Sequence, residues 1–269
     1  MAFTSTVWLV APAAAADDRD ICAEESGEVA LAACTRAIES GRYGGRELAR
    51  LLANRCAEWP EKEHDRAVED CSRAIQLNPA SAGAFSNRAY VWYSKRQYDR
   101  AIEDLNQAIQ LDPKDADFFN NRGLAASDNG QHDRAIEDFD EAIRLDPDHA
   151  DAFYNRGNAF RRKSQHDRAI ADFNQAIRLK PNYVNAFNNR GLAYMDKDQY
   201  DRAIEDFSQV IRLAPNNATA FNNRAIMWEL KGDLRRALAD YRKTSELAPS
   251  HPHAQNDIKR LAKALGSRG

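Results

Sequence analysis

Apolar and small side chains recur along this chain with a period of 34 residues, and each period holds two clusters with helical spacing. In the period 82–115 these positions are Phe85, Ala89, Trp92, Ala101, Leu105 and Ala108. Spacings of three and four residues place such side chains on one face of a helix. The prolines that close the periods are Pro79, Pro113, Pro147, Pro181, Pro215 and Pro249. The pattern predicts two amphipathic helices of about 12–14 residues in every period, stopped by proline.

A period of this size indicates a stack of one supersecondary unit rather than a closed globule with a catalytic cleft. Six repeats are predicted: 48–81, 82–115, 116–149, 150–183, 184–217 and 218–251. The first lacks one residue between Arg55 and Asp65. Gly130 and Gly232 lie at the predicted turn between two helices, as expected for a helix C-cap. Positions are counted below from the first residue of a repeat, so that Ala82 is position 1. Because of the missing residue, the part of the first repeat before the gap is counted from Ala49.

The repeat resembles the tetratricopeptide repeat, whose signature has an aromatic at position 4, small residues at positions 8 and 20 and proline at position 32. Position 4 is Phe85, Phe119, Phe153, Phe187 and Phe221, and position 8 is Ala89, Gly123, Gly157, Gly191 and Ala225. The resemblance implies an all-α fold, a right-handed superhelical solenoid of antiparallel helix hairpins. It also implies a concave face, lined by the first helix of each hairpin, that binds a protein or peptide partner.

The two ends differ from the repeats. Residues 1–16 are apolar and Ala-rich, and they predict a signal peptide, with a disordered tail as the alternative. Residues 17–47 predict a degenerate half-repeat that caps the stack, in which 26–40 is a second helix without a good first partner. Residues 252–269 predict a carboxyl-terminal solvating helix and tail.

The four cysteines, Cys22, Cys34, Cys56 and Cys71, all lie in the amino-terminal part of the chain. An even number in an exported chain predicts two disulfides. Three pairings exist, and Cys22–Cys34 with Cys56–Cys71 is favoured because each pair lies within one hairpin. Cys34–Cys56 is an alternative, as are reduced, buried thiols. The prediction is therefore a periplasmic or secreted bacterial protein, or a cytoplasmic one if 1–16 is not a signal peptide.

Composition narrows the function. The 38 basic and 41 acidic residues are interspersed and the net charge is −3, which disfavours a nucleic-acid surface. No apolar run approaches the roughly 20 residues of a membrane-spanning helix, so no membrane insertion is expected. No phosphate loop, nucleophile elbow or metal motif occurs. We therefore expect neither an enzyme nor a cofactor or metal.

Position 7 is arginine and position 23 is aspartate in all six repeats, beginning with Arg55 and Asp70. The arginine departs from the leucine that the family usually has at position 7. We predict ion pairs between neighbouring helices. Treated as exposed pairs, they would contribute less than about 1 kcal/mol each and would set register more than stability.

Position 6 is asparagine in every repeat, and the resemblance places it on the concave face. These residues are Asn54, Asn87, Asn121, Asn155, Asn189 and Asn223. A row of amides can pair with the backbone of an extended peptide, since each offers two donors and an acceptor. The alternative is a family consensus residue that stays hydrated. Variable side chains of the same face, namely Tyr90, Tyr93, Tyr154 and Arg161, complete the predicted partner-binding site.

The function predicted from these patterns is a scaffold that holds an extended segment of a partner protein in its concave groove. Two alternatives use the same chain differently. It is either a regulatory or assembly subunit of a cell-envelope enzyme complex, or a self-assembling structural element.

Overall fold

A computed structural model describes residues 17–266, and all regular secondary structure in that range is helical. The first six helices are α1 Asp18–Glu24, α2 Gly27–Glu39, α3 Gly45–Glu58, α4 His64–Leu77, α5 Ala82–Ser94 and α6 Tyr98–Leu111. They are followed by α7 Ala116–Asp128, α8 His132–Leu145, α9 Ala150–Arg162, α10 His166–Leu179, α11 Val184–Met195, α12 Tyr200–Leu213, α13 Ala218–Leu230, α14 Leu234–Leu247 and α15 Ala254–Gly266. The fold is therefore all-α, as the resemblance implied.

The chain divides into two compact units, Met1–Leu111 and Asp112–Gly269, which we call unit 1 and unit 2. In unit 1 the hairpins are α1–α2, α3–α4 and α5–α6. In unit 2 they are α7–α8, α9–α10, α11–α12 and α13–α14, followed by the single helix α15. Leu261 of α15 is buried in a cluster with Leu238 and Tyr241 of α14, so this helix covers the last apolar face of unit 2.

The amino-terminal half-repeat has a first helix, contrary to the expectation that 26–40 lacks one. This helix, α1, is only seven residues long and packs on α2. Asp17 caps it by accepting a hydrogen bond from the Arg19 amide. Shortness explains why the sequence pattern missed it, since seven residues contain barely two turns of apolar spacing. The predicted signal peptide, residues 1–16, lies outside the described residues.

Two disulfides lie in unit 1, and their pairing is the one favoured above. Cys22 of α1 is bonded to Cys34 of α2, and Cys56 of α3 is bonded to Cys71 of α4. All four residues are buried, and no cysteine among the described residues is free. Each disulfide joins the two helices of one hairpin.

Within a hairpin the closest approach is between positions 8 and 24, and its two residues are matched in size. Glycine faces phenylalanine in three repeats, Gly123–Phe139, Gly157–Phe173 and Gly191–Phe207. A Cβ on any of these glycines would lie 2.7 or 2.8 Å from the phenylalanine ring. Alanine at position 8 accompanies Leu105 or Tyr241 instead, and in the first repeat the Cys56–Cys71 disulfide occupies both positions. The combined size of the side chains at positions 8 and 24 therefore helps to set the distance between the two helices of a hairpin.

We expect Gly157→Ala to destabilise the chain by about 1–3 kcal/mol, because the buried Phe173 ring has no room to retreat. Gly157→Ala/Phe173→Leu restores the Ala–Leu combination found at Ala89 and Leu105. It should lose less stability than the two single changes together. Urea denaturation of the four chains, wild type included, measures this coupling, and strict additivity would contradict it.

In five of the six repeats the turn between the paired helices has a left-handed backbone at position 15. Gly130 and Gly232 have φ of 81° and 82°, which agrees with the C-cap prediction. The same conformation is held by non-glycine residues in three other repeats, Arg96, Ser164 and Asp198. Side-chain identity at the turn is thus free to vary while the geometry is kept.

Candidate functional site

The arginine of position 7 and the aspartate of position 23 form a two-pronged ion pair in each of the six hairpins. The pairs are Arg55–Asp70, Arg88–Asp104, Arg122–Asp138, Arg156–Asp172, Arg190–Asp206 and Arg224–Asp240. In Arg156, Nε and Nη2 donate to the two Asp172 oxygens at 2.8 and 2.6 Å. The aspartates are 4–7 % exposed, so the expectation of solvated pairs was wrong. Buried charges follow different energetics from exposed ones.

The remaining arginine nitrogen reaches position 25 of the preceding repeat. Nη1 of Arg88 donates to Ser72 Oγ at 3.1 Å, and Nη1 of Arg156 donates to Asp140 Oδ1 at 2.6 Å. Equivalent bonds in the same units are Arg55–Thr35, Arg190–Asn174 and Arg224–Ser208. One guanidinium therefore ties together both helices of its own hairpin and the second helix of the hairpin before it.

Burial dominates the electrostatics of two of these carboxylates. It raises the pKa of Asp172 and Asp206 above the ordinary aspartate range, although the paired Arg156 and Arg190 pull the pKa the other way. The arginines thus offset only part of the cost of removing the carboxylates from water. The pairs fix the arrangement of the hairpins more than they add net stability.

A second set of ion pairs links successive repeats at the surface. In four hairpins the aspartate at the second residue of the second helix is bound by a lysine thirty residues later, as in Asp65–Lys95, at 2.7 Å. Unit 2 repeats the contact in Asp133–Lys163, Asp167–Lys197 and Asp201–Lys231. The thirty-residue spacing of these aspartates and lysines is visible in the sequence. Each aspartate also lies in the first turn of its helix, where a carboxylate interacts favourably with the helix dipole.

In unit 1 the predicted asparagines Asn54 and Asn87 lie in one open recess of about 450 Å³. The side-chain amide of each asparagine is held by one hydrogen bond to the preceding helix hairpin. Asn54 Nδ2 donates to Cys22 O at 3.3 Å, and Asn87 Nδ2 donates to Ala53 O at 2.9 Å. An amide held in this way keeps one N–H and its oxygen for a ligand.

The recess also contains residues that the sequence analysis did not single out. Its full lining is Arg46, Glu47, Arg50, Ala53, Asn54, Asn78, Ser81, Gly83, Ala84 and Asn87. Arg50 precedes Asn54 by one helical turn and so occupies position 2 of its repeat. That spacing was the available signal, since residues four apart lie on the same face of a helix.

In unit 2 most of the predicted asparagines form hydrogen bonds with asparagine or tyrosine side chains of the preceding repeat. Asn155 Nδ2 donates to Asn120 Oδ1 at 2.9 Å, and Asn223 Nδ2 lies 3.5 Å from Asn188 Oδ1. Asn189 is the most heavily engaged; its partners are Tyr154 Oη, Asn158 Oδ1 and Asn188 Nδ2. Asn121 remains exposed, with its oxygen 3.5 Å from Asn120 Nδ2. Most amides here link consecutive repeats.

The predicted aromatic residues differ in accessibility. Tyr90 is 63 % exposed, whereas Tyr93 is half-buried and stacks on Tyr98 with ring centres 5.6 Å apart. Tyr154 is also half-buried and packs against Tyr183, whose ring centre is 4.9 Å away. Tyr90 is thus the predicted aromatic most open to a partner.

The charged residues of the unit 2 face are already paired. Arg161 Nη1 lies 3.7 Å from Asp196 Oδ2. Asp117 accepts from His149 Nε2 at 3.1 Å, and Asp151 accepts from the Tyr183 hydroxyl at 2.5 Å. Burial, followed by this bond to Asp151, raises the pKa of Tyr183 well above its usual range. The carboxylates of Asp117, Asp151 and Asp196 therefore all have partners within unit 2.

Among residues 17–266, no cluster of His, Cys, Asp and Glu has the arrangement of a metal site. No helix in this range is long and apolar enough to cross a membrane.

Comparison with known proteins identifies the repeat. Models described as tetratricopeptide repeat match residues 120–184 and 184–217, and one described as TPR repeat matches 91–130. A search of the curated proteins gave no match. The chain therefore contains tetratricopeptide repeats, as its signature residues predicted.

Solved structures agree on the fold. YrrB, described as a TPR protein with an unusual peptide-binding site, is 24 % identical with a TM-score of 0.59; the match covers 71 % of this chain and 99 % of YrrB. MamA is 26 % identical with a TM-score of 0.57, over 60 % of this chain and 95 % of MamA. PilW, a type IV pilus biogenesis factor, is 19 % identical with a TM-score of 0.71, over 77 % and 97 % of the two chains.

Proposed function

We propose that this protein is a scaffold that binds an extended segment of a partner protein on the face formed by the first helices of its hairpins. The tetratricopeptide fold is suited to protein–protein interaction, and YrrB shows that a chain of this fold can carry a peptide-binding site. The proposal itself rests on the residues of this chain.

The observation that carries the proposal is the unit 1 recess, where position-6 asparagines from two successive repeats lie side by side. An extended peptide presents a backbone N–H and C=O at every residue, so a pair of oriented amides can bind it without reading its sequence. Tyr90 lies on the same helix as Asn87, one turn further on, and adds exposed aromatic surface. Aromatic side chains of this kind supply much of the affinity at protein interfaces.

Two disulfides are typical of a protein that functions in an oxidising compartment. We therefore propose that this protein is located in the bacterial periplasm or is secreted. A regulatory or assembly role in a cell-envelope complex fits the same compartment and the same face. The identity of the captured partner distinguishes a general scaffold from such a subunit.

The test is cross-linked affinity capture from the native cell envelope with two variants of equal helicity. Tyr90→Ala removes the exposed aromatic side chain of the proposed face in unit 1, and it spares the asparagines that bond neighbouring repeats. Gln107→Ala, on an exposed position of a second helix of the same unit, is the matched control. We expect a partner that wild type and control recover and the first variant loses. Equal recovery by all three chains would overturn the proposal.

A further inference from the structure

We propose that the unit 1 recess binds an acidic segment of the partner, with carboxylate side chains at alternate residues held by Arg46 and Arg50. This inference rests on the proposed function, because it places the ligand's charge in the same recess. It adds the chemical class of the segment, and it attributes the selectivity for that segment to the two arginines.

The charge of the recess supports an acidic ligand. Arg46 and Arg50 are both exposed, and neither has an ion-pair partner among the described residues. Glu47 is the one other charged residue that lines the recess, and its carboxylate is 3.8 Å from Arg19 Nη1. Every other lining residue is neutral. The recess therefore offers two positive groups that the fold itself does not use.

A comparison of position 2 among the six repeats shows that a positive charge occurs there only in unit 1. Arg50 occupies the position in 48–81, whereas unit 2 has Asp117, Asp151, Asn185 and Thr219 there. Asp117 and Asp151 bond to His149 and Tyr183, so they serve contacts between repeats. Arg50 makes no such contact with the described residues, so no contact within this range requires a positive charge at that position.

Helix geometry specifies the spacing of the ligand's charges. Arg46 and Arg50 are four residues apart on α3, which is about 6 Å along a helix. In an extended chain, alternate side chains point the same way and lie about 6.5–7 Å apart. Two acidic residues separated by one residue match this distance, and a single terminal carboxylate does not span it. Arginine is well suited to carboxylate because its planar guanidinium can donate two parallel hydrogen bonds.

The rest of the recess fits the backbone of such a segment. Asn54 and Asn87 each keep a free amide N–H and oxygen after bonding to Cys22 O and Ala53 O. Gly83 leaves open space beside them, since a Cβ there would meet nothing within 4 Å. Tyr90, beyond Asn87 on α5, can receive an apolar side chain of the segment. Charge, backbone pairing and an apolar contact are thus available along one path.

Gly83 also supplies a sharp variant. Gly83→Asp places a carboxylate at position 2, where the fold already accepts Asp117 and Asp151. It leaves both arginines in place and opposes an acidic ligand by repulsion. Weaker binding in this variant would therefore report charge in the recess, with no change to the arginine side chains.

The experiment selects peptides from a random display library, fused at their carboxyl ends, on the full chain. An enriched sequence is then synthesised with a fluorescein label and an amidated carboxyl terminus, together with a copy in which Gln replaces each acid. We expect enrichment of acidic residues at alternate positions. We also expect about tenfold weaker binding by Arg46→Glu/Arg50→Glu, by Gly83→Asp, and by the Gln copy on wild type. Affinity should fall as salt rises.

Arg235→Glu/Arg242→Glu makes the same change in net charge on exposed arginines of α14 and should bind like wild type. Enriched peptides that lack acidic residues, or that bind the Arg46/Arg50 variant as well as wild type, would overturn the inference and leave the proposed function standing. If no peptide is enriched, the proposed function is overturned and the inference with it.

Discussion

Arg156→Met is expected to destabilise unit 2 by about 3–5 kcal/mol, because it leaves the Asp172 carboxylate buried without its partner. Methionine is unbranched and apolar and fills the space of the arginine stem as far as about Nε, so much of the packing of that stem is kept. The expected loss far exceeds the value of an exposed ion pair. Urea denaturation followed by circular dichroism measures it as a shift of the midpoint.

The loss should depend on pH in a defined direction. Burial already raises the pKa of Asp172, and removal of the arginine raises the pKa further. A carboxyl whose folded pKa exceeds its unfolded pKa penalises folding fully above the folded value. The penalty fades as pH falls towards the unfolded value of 3.8. The difference between variant and wild type should therefore shrink on acidification.

A double-mutant cycle separates the pair from its surroundings. Arg156→Met/Asp172→Leu removes both charges, and it should recover much of the stability that Arg156→Met loses. Arg178→Met, an exposed arginine on α10, is the control for the substitution itself and should change stability little. Additive effects of the two single changes would show that the contact is energetically silent.

Loss of the Cys56–Cys71 disulfide is expected to cost about 3 kcal/mol, the value for a closed loop of this size. The sequence separation is 15 residues, and the main effect is a larger conformational freedom of the unfolded chain. The informative variant is Cys56→Ala/Cys71→Leu, which supplies the same two residues as Ala89 and Leu105 in the next repeat. Thermal denaturation of variant and wild type gives the difference.

Because packing is matched in that variant, its loss reports the cross-link. A thiol reductant should lower the melting temperature of wild type by more than that of the variant, which keeps only Cys22–Cys34. Equal melting temperatures of the two oxidised chains would contradict the prediction. They would also weaken the case that the protein needs an oxidising compartment.

Much of the fold was predictable because each position of the repeat occurs several times in the sequence, so that its preferred residue can be recognised. Six occurrences of arginine at position 7 and aspartate at position 23 indicated a pairing, and the two lie on facing helices of every hairpin. Their burial was not predictable from charge and spacing. It depends on how closely successive hairpins stack, which the surrounding side chains of several helices decide together.

The candidate site was less predictable for the same reason. Position 6 specifies which helix face Asn189 occupies, but its partners Tyr154 and Asn158 come from the preceding repeat. Such contacts depend on the offset between hairpins, and a period within the sequence does not encode that offset. Arg46 was overlooked because it lies before the repeat that contains Asn54, where the register had not yet begun.

The bonds from Arg55, Arg88, Arg156, Arg190 and Arg224 to the preceding hairpin have a consequence for cooperativity. A repeat that opens also deprives its neighbour of a hydrogen bond, so that neighbouring repeats unfold together instead of fraying singly. Within unit 2 the strength of this coupling varies with the acceptor, since Asp140 offers a carboxylate, whereas Asn174 offers a neutral amide oxygen and Ser208 a hydroxyl. The link between 116–149 and 150–183 is thus the strongest of these three, and it makes that pair of repeats the last part of unit 2 to lose its order.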